Sequence, residues 1–415
     1  MQRFMALLVG ILALLTTSVV CSAQTTPTTI TWLVHQHPTL LNAWEGIAAE
    51  YEFRNPNVNV ELVIASGNYN DQMLAMSLGG TLPDVITNGS SDLLEAGAFY
   101  DLGELMERDP SFAQLADGWV PGALESTRLG KHRVMPYAVV TNISFINVDH
   151  FDEAGVPLPS DDWDWQEYLD DARRLNVHDA SGEVTRWGLM PIATNTHRHM
   201  IPWVFQAGGR LFDDMYDPTK PYFGADATRE AFEFVHALRW DHNVVPQPGQ
   251  PSRNFLQGGT SIWQQLPARM AQFAQTEGLN WDIRRLPGHR FRANMSGFDY
   301  IYINRDTLHL DEAWEFIKFV TSPPAQALYA PHGQIPVSME VVLSREWQEF
   351  PASGLNKSAF VHELEVAVNR EINPRLQNEI TRIYTEEWRK AYDRNEIPVS
   401  QVLEEIDRRI AALLP

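Results

Sequence analysis

Between Ile30 and Thr87 the hydrophobic period of this chain keeps switching between two and 3.6, and few folds accommodate that order. Ile30, Trp32 and Val34 alternate as in a short strand, which stops at His35-Gln36-His37-Pro38. Leu40, Trp44, Ile47 and Tyr51 then recur at the spacing of one helix face. Asn55-Pro56-Asn57 ends that helix, and Val58, Val60 and Leu62 alternate as a second strand. A helix carrying Tyr69, Met73 and Met76 leads to a third strand at Asp84-Val85-Ile86-Thr87. This β-α-β-α-β order predicts a parallel sheet with helices on its faces, an architecture that binds ligands beyond the carboxyl ends of its strands.

At 415 residues the chain exceeds what one core usually fills, so two lobes are expected. Lys131 to Asn147 reads as two extended pieces meeting at Met135-Pro136-Tyr137. Asp164 and Glu167 fit a capping box for a helix whose apolar face is Trp165, Tyr168, Ala172 and Leu175. Asp226 is placed to cap a helix burying Ala231, Val235 and Leu238. Ile283–Leu286 and Tyr300–Ile303 look extended. Helical faces return at Ala313, Ile317 and Val320, at Ile380 and Ile383, and finally at Leu403, Ile406, Ile410 and Leu413. No fixed-period repeat is present, which argues against a solenoid.

Residues 1–23 read as a secretory signal peptide: Arg3 opens an apolar run from Phe4 to Leu15, and Cys21 and Ala23 are small enough for cleavage before Gln24. Lipid attachment at Cys21 is disfavoured because Val20 stands where a small residue is wanted. The expected location is therefore the periplasm or the outer face of the cytoplasmic membrane. Cys21 is the only cysteine, so a chain cut after Ala23 has no thiol chemistry. Lys plus Arg number 32 against 53 Asp plus Glu, a net charge of −21 that repels phosphate backbones and argues against nucleic-acid binding.

Several short segments lie in order along the chain. They are Gly79-Gly80-Thr81-Leu82-Pro83-Asp84-Val85, Gly130 to Asn147, Phe151-Asp152-Glu153-Ala154-Gly155 with Trp163 to Tyr168, Gln206-Ala207-Gly208-Gly209, Phe255-Leu256-Gln257-Gly258, and Trp314 to Ser322 followed by Pro336. Together they resemble extracellular solute-binding protein family 1, the maltose-type sugar receptors of ABC importers. Two departures stand out: Gly259-Thr260-Ser261-Ile262 where the family often has Lys-x-Ala-Met, and Ser296-Gly297-Phe298 where it often has Gly-Gly before an aromatic. The resemblance implies an α/β, two-lobed periplasmic-binding-protein fold of type II, each lobe a mostly parallel sheet flanked by helices. The lobes would be 24–138 plus 299–345, and 139–298 plus 346–415. The chain would cross between them near Tyr137 to Asn142, near Ser296 to Ile301, and again after Pro336, with Tyr137, Ala138 and Gly297 as hinge. It also implies a monomeric, cofactor-free, non-enzymatic receptor for a sugar or polyol that works with membrane permease subunits.

A sugar needs flat apolar surfaces for its C–H faces and planar polar groups for its hydroxyls. Loops after strands are the expected source: His35 and His37, Asn68 and Tyr69, and Asn88 and Ser90 from the first lobe. The second lobe and the crossings would add Thr141, Asn142, His197, Arg198, Ser296 and Phe298. Trp32, Trp44, Trp165 and Trp314 lie on apolar stripes and read as core, and Asp161-Asp162 and Asp213-Asp214 as solvated surface charge. Two other functions stay open. His35-Gln36-His37 and His197-Arg198-His199 are both His-x-His, a spacing suited to transition-metal capture, although Arg198 would set a cation beside the metal. A secreted glycoside hydrolase or lyase is the enzymatic alternative, since 53 acids offer many carboxylate pairs. No Gly-x-Ser-x-Gly or phosphate-binding loop occurs, and His362-Glu363 lacks a second histidine because Val366 stands there.

Overall fold

The computed structural model describes residues 26–36, 40–65, 67–250, 253–351, 354–369 and 374–414. The expected signal peptide, Cys21 and His37 lie outside the described residues. In chain order the main elements are β1 (Thr28–His35), α1 (Leu41–Arg54), β2 (Val58–Ala65), α2 (Tyr69–Leu78), β3 (Val85–Thr87), α3 (Ser91–Glu95), β4 (Met135–Thr141) and β5 (Ile143–Asn147). Next come α4 (Trp165–Leu175), β6 (Val177–His178), β7 (Val184–Leu189), α5 (Asp226–Trp240), β8 (Thr260–Gln265), β9 (Trp281–Arg284) and β10 (Asn294–Ile303). The chain finishes with α6 (Leu310–Val320), β11 (Ile335–Pro336), α7 (Ser358–Glu365), β12 (Ala367–Asn369), α8 (Pro374–Tyr392) and α9 (Val399–Ala411).

Two sheets organise the described residues. The first runs β11-β4-β10-β3-β1-β2, with β12 beside the start of β10; the second runs β9-β5-β8-β7-β6. The β-α-β-α-β reading holds: β1 pairs in parallel with both β2 and β3. Burial explains it, because Ile30, Trp32, Leu33 and Val34 are all inaccessible and a strand covered on both faces must be almost wholly apolar. Trp32 and Trp44 meet edge to face at 5.2 Å, and the Trp32 indole donates to Thr87 Oγ1 at 2.7 Å, so both are core residues. In the second lobe Trp165 stacks on Phe234 at 4.5 Å and donates to Gln206.

The capping box at Asp164 forms, its carboxylate accepting from Glu167 N at 2.8 Å while the Glu167 carboxylate accepts from Asp164 N. Asp226 does not cap: Ala225 holds that position, and Asp226 instead pairs with Arg229 at 2.6 Å. Nor does the extended stretch break at Pro136. Pro136 sits inside β4 opposite Tyr300, where the ladder slips between Asp299 and Tyr300, so its missing N–H costs no regular rung. The stretch breaks instead at Val134, just before Met135, and again at Asn142, between β4 of the first sheet and β5 of the second.

The expected lobe limits at 138/139 and 298/299 therefore fall inside β4 and β10. Beyond 345, Trp347, Phe360 and Leu364 join an apolar cluster that takes in residues of both sheets, among them Phe145 and Ile283 of the second. From α8 onward the chain builds the second core, through Ile380, Tyr384, Trp388, Leu403 and Ile406.

Candidate functional site

The carboxyl ends of β1, β2 and β3 lie side by side, because His35 pairs with Ala65 and Leu33 with Ile86. Tyr69, at the start of α2, binds this edge together. Its hydroxyl donates to Thr87 O at 2.5 Å and approaches Leu33 O at 3.4 Å, while its ring meets His35 edge to face at 5.7 Å. Burial pushes the Tyr69 phenol far above its ordinary range, so it stays a neutral donor. Asn68 caps α2 by accepting from Asn70 N and Asp71 N, and remains exposed. Asn88 holds a left-handed φ of 55° and donates its N–H to Tyr300 O at 2.8 Å; its side chain, like that of Ser90, is half-buried. His35, Asn68, Tyr69, Asn88 and Ser90 thus share one edge.

Several residues expected to touch ligand do not reach a surface. Thr141 is fully buried and its hydroxyl donates to Met295 O at 2.9 Å. Asn142 is fully buried beside it, its carbonyl accepting from Asn294 Nδ2 at 2.8 Å. Phe298 is 5% exposed and belongs to the first core, so the crossing strand turns its ring inward. His197 is inaccessible in the second core, edge-on to Tyr384 at 6.1 Å, and burial lowers its imidazole to about 3. The reason is common to all four: each lies at a changeover between sheets or under a helix, where apolar neighbours close in. Arg198 stays half-buried at the short helical turn His197–Met200. Ser296 pairs through its backbone with Thr141 and Asn369. The hinge residues Tyr137, Ala138 and Gly297 are all buried in the crossing strands.

Asp299 comes to the same region without having been singled out, and Trp263 is a further half-exposed aromatic on the second lobe. Asp299 is half-buried at the bulge of β10, close enough for its charge to raise the Tyr137 and Tyr329 phenols further, after burial. In the second lobe β8 is buried up to Ile262 and half-exposed from Trp263, with the Arg269 guanidinium 5.4 Å from that ring. The signal for both was available: Asp299 is a lone acid within an apolar strand, and Trp263 is the aromatic of the strand after Phe255-Leu256-Gln257-Gly258.

Chemically, this edge offers aromatic faces, amides, imidazole and a carboxylate. Among the described residues no group of three or more His, Cys, Asp or Glu could hold a metal ion. With His197 sealed in the core, the second His-x-His pair cannot present both rings to one ion. The described cavities lie elsewhere; one of about 740 Å³ sits at the opposite end of the first sheet, beside Thr29, Asp84 and Thr307. There Asp84 accepts from Thr31 N at 2.8 Å and from the Thr31 and Thr307 hydroxyls, which gives the Pro83-Asp84 turn a structural purpose. Among the described residues no helix is long and apolar enough to cross a membrane.

Known structures share this architecture across nearly the whole chain. An ABC substrate-binding protein of Listeria monocytogenes in complex with cycloalternan superposes with a TM-score of 0.79 at 20% identity, covering 93% of this chain and 99% of that one. The cyclic α-maltosyl-1,6-maltose binding protein of Arthrobacter globiformis gives 0.77 at 18% identity over 93% and 99%. The sugar-binding protein MalE of Xanthomonas citri gives 0.77 at 18% identity over 93% and 97%. These likenesses establish the two-lobed binding-protein fold. An uncharacterized lipoprotein from the oleD 5′ region of Streptomyces antibioticus is 28% identical over 183 residues, which is 42% of this chain and only 38% of that protein's length. Residues 37–327 match the family described as bacterial extracellular solute-binding protein. That span covers more than two thirds of the sequence and contains every segment on which the resemblance rested except Pro336, and the chain belongs to this family of extracellular solute-binding proteins.

Proposed function

We propose that this protein is the substrate-binding component of an ABC importer, an exported receptor that takes a sugar between its lobes and delivers it to membrane permease subunits. The observation that carries the reading is the edge formed by His35, Asn68, Tyr69, Asn88 and Ser90 at the carboxyl ends of β1, β2 and β3, where an open α/β sheet binds its ligands. Aromatic and planar polar groups on that edge suit the two kinds of surface a pyranose presents. Relatives of the same fold that bind cycloalternan and cyclic maltosyl-maltose favour an α-linked oligosaccharide. Arg198, Trp263 and Asp299 are the second-lobe and crossing-strand groups we assign to the site. The reading includes a monomer without a cofactor or enzymatic step, cleaved after Ala23 and exported.

A thermal-shift panel of maltose, maltotriose and cycloalternan tests it. A ligand at 100 times its Kd adds about 2.7 kcal/mol of stability, which is a readily measured rise in melting temperature. No rise with any carbohydrate, together with a rise in zinc or copper, would overturn the sugar reading. New reducing ends after incubation with the same sugars would overturn the non-enzymatic one.

A further inference from the structure

One row of the second sheet is polar where its neighbours are apolar. In the antiparallel pairs β9–β5 and β5–β8, Ser144 stands between Arg284 and Gln264, so the three side chains leave the sheet on one face. The next pair on that face, Ile146 opposite Ile262, belongs to the second core. Ser144 is 1% exposed, and Asn142, two residues earlier at the break between β4 and β5, is inaccessible.

Both long neighbours of Ser144 turn their ends away from it. Arg284 donates to Pro159 O at 2.9 Å, to Ile283 O at 2.7 Å and to the Asp282 carboxylate. Gln264 Oε1 accepts from Trp203 Nε1 at 3.0 Å. An indole N–H can only donate, so this bond identifies the oxygen end of the amide and turns Nε2 the other way. A small side chain is thus left between two strands, each about 4.8 Å away, whose own side chains lead elsewhere.

Four polar atoms of this group are shielded from solvent and have no hydrogen-bond partner among the described residues: Asn142 Nδ2 and Oδ1, Ser144 Oγ and Gln264 Nε2. The Asn142 backbone is tied by contrast, its carbonyl accepting from Asn294 Nδ2 at 2.8 Å. Buried polar groups are nearly always bonded, so several neighbours without a protein partner call for a partner of another kind. Their chemistry names it. Nδ2 and Nε2 only donate, Oδ1 only accepts, and the hydroxyl does either. A metal ion would face the two donors, an anion would face Oδ1, and residues this enclosed admit nothing large. One small molecule that both donates and accepts suits all four atoms, and that molecule is water.

We propose that Asn142, Ser144 and Gln264 form an internal hydration site, holding ordered water between the chain crossing at Asn142 and strands β5 and β8. Water bridges exchange partners readily, so the Asn142 side chain is held by contacts that can rearrange while Asn294 keeps its backbone in place. The site does not depend on the sugar reading.

A high-resolution crystal structure of the sugar-free protein reads the site directly. It should show at least one water within hydrogen-bond distance of Ser144 Oγ and of Gln264 Nε2 or the Asn142 amide. Relaxation dispersion of the water oxygen counts long-lived internal waters in solution. Ser144→Val, which removes the hydroxyl and fills its surroundings with methyl groups, should hold at least one fewer than the parent. Density in which the three side chains bond one another with no water between them would overturn the site, as would a folded Ser144→Val with the parent's water count. If Ser144→Val does not fold, the parent crystal structure decides alone. A sugar panel without a hit changes neither outcome.

Discussion

A buried histidine carries a measurable consequence that an exposed one would not. His197 is inaccessible and burial lowers its imidazole to about 3; His150, also buried but bonded to Ser261 Oγ at 3.0 Å, is lowered to about 4. In the unfolded chain both return to about 6.5. The unfolded state thus binds more protons between pH 6.5 and the folded values, and stability falls as pH drops through that window. At pH 4.5 each group should cost about 2–3 kcal/mol relative to pH 7. Urea unfolding at the two pH values should show the loss, and His197→Phe should recover about half of it; an identical loss in that variant would refute the assignment. Phe298 makes a companion case. With its ring in the core, Phe298→Ala should cost about 3–5 kcal/mol of folding stability, not merely ligand affinity. A melt without ligand that matches the parent would put the ring back in the cleft.

At the scale of elements, the sequence exposed what local chemistry dictates and hid what tertiary packing decides. The period switches at Ile30–Val34, Leu40–Tyr51 and Val58–Leu62 survive because strand, helix and strand each bury one continuous apolar set. The Asp164 capping box survives because it closes within four residues. Pro136 misled because its cost depends on a slip in the partner strand, near Tyr300, far away in sequence. The loops of the site were legible as loops after strands. Which side chains face outward was not, since Thr141, Asn142 and His197 are covered by segments far from them in the chain. The tie that holds the crossings together was invisible for the same reason. Glu363 of α7 is 2% exposed and accepts from Arg285 Nε at 3.1 Å, Leu286 N at 3.2 Å and Asn294 Nδ2 at 2.6 Å; Asn294 in turn donates to Asn142 O. One carboxylate therefore joins the first two crossings and stands just before the third, β12. Glu363→Ala strands the Arg285 guanidinium and should cost about 3–5 kcal/mol, whereas Glu363→Gln, which keeps an acceptor, should cost less. Equal stability of both variants with the parent, by denaturant titration, would show that the tie contributes nothing.

For the whole molecule, the proposed function requires that a loaded receptor differ in shape from an empty one, because a permease could read only the outside. A pocket confined to one lobe gives no such difference. A ligand gripped by both lobes does, since it contacts both only when they meet, and its differential affinity shifts the open–closed population. Moving that population from 1:99 to 99:1 takes about 10⁴-fold tighter binding to the closed form. The hinge we propose for it lies where β4 passes to β5 at Asn142, β10 opens at Asn294, and β12 lies against Asn294–Ser296, so three passages of the chain meet within a few residues. Passages this close permit bending while forbidding the lobes to drift apart. The sugar that gives the largest thermal shift should therefore reduce the radius of gyration in small-angle scattering and slow hydrogen exchange at 139–143 and 294–297. A tight-binding sugar that left both the scattering profile and the exchange at these crossings unchanged would refute closure, even with the binding edge at His35, Tyr69 and Asn88 confirmed by mutation.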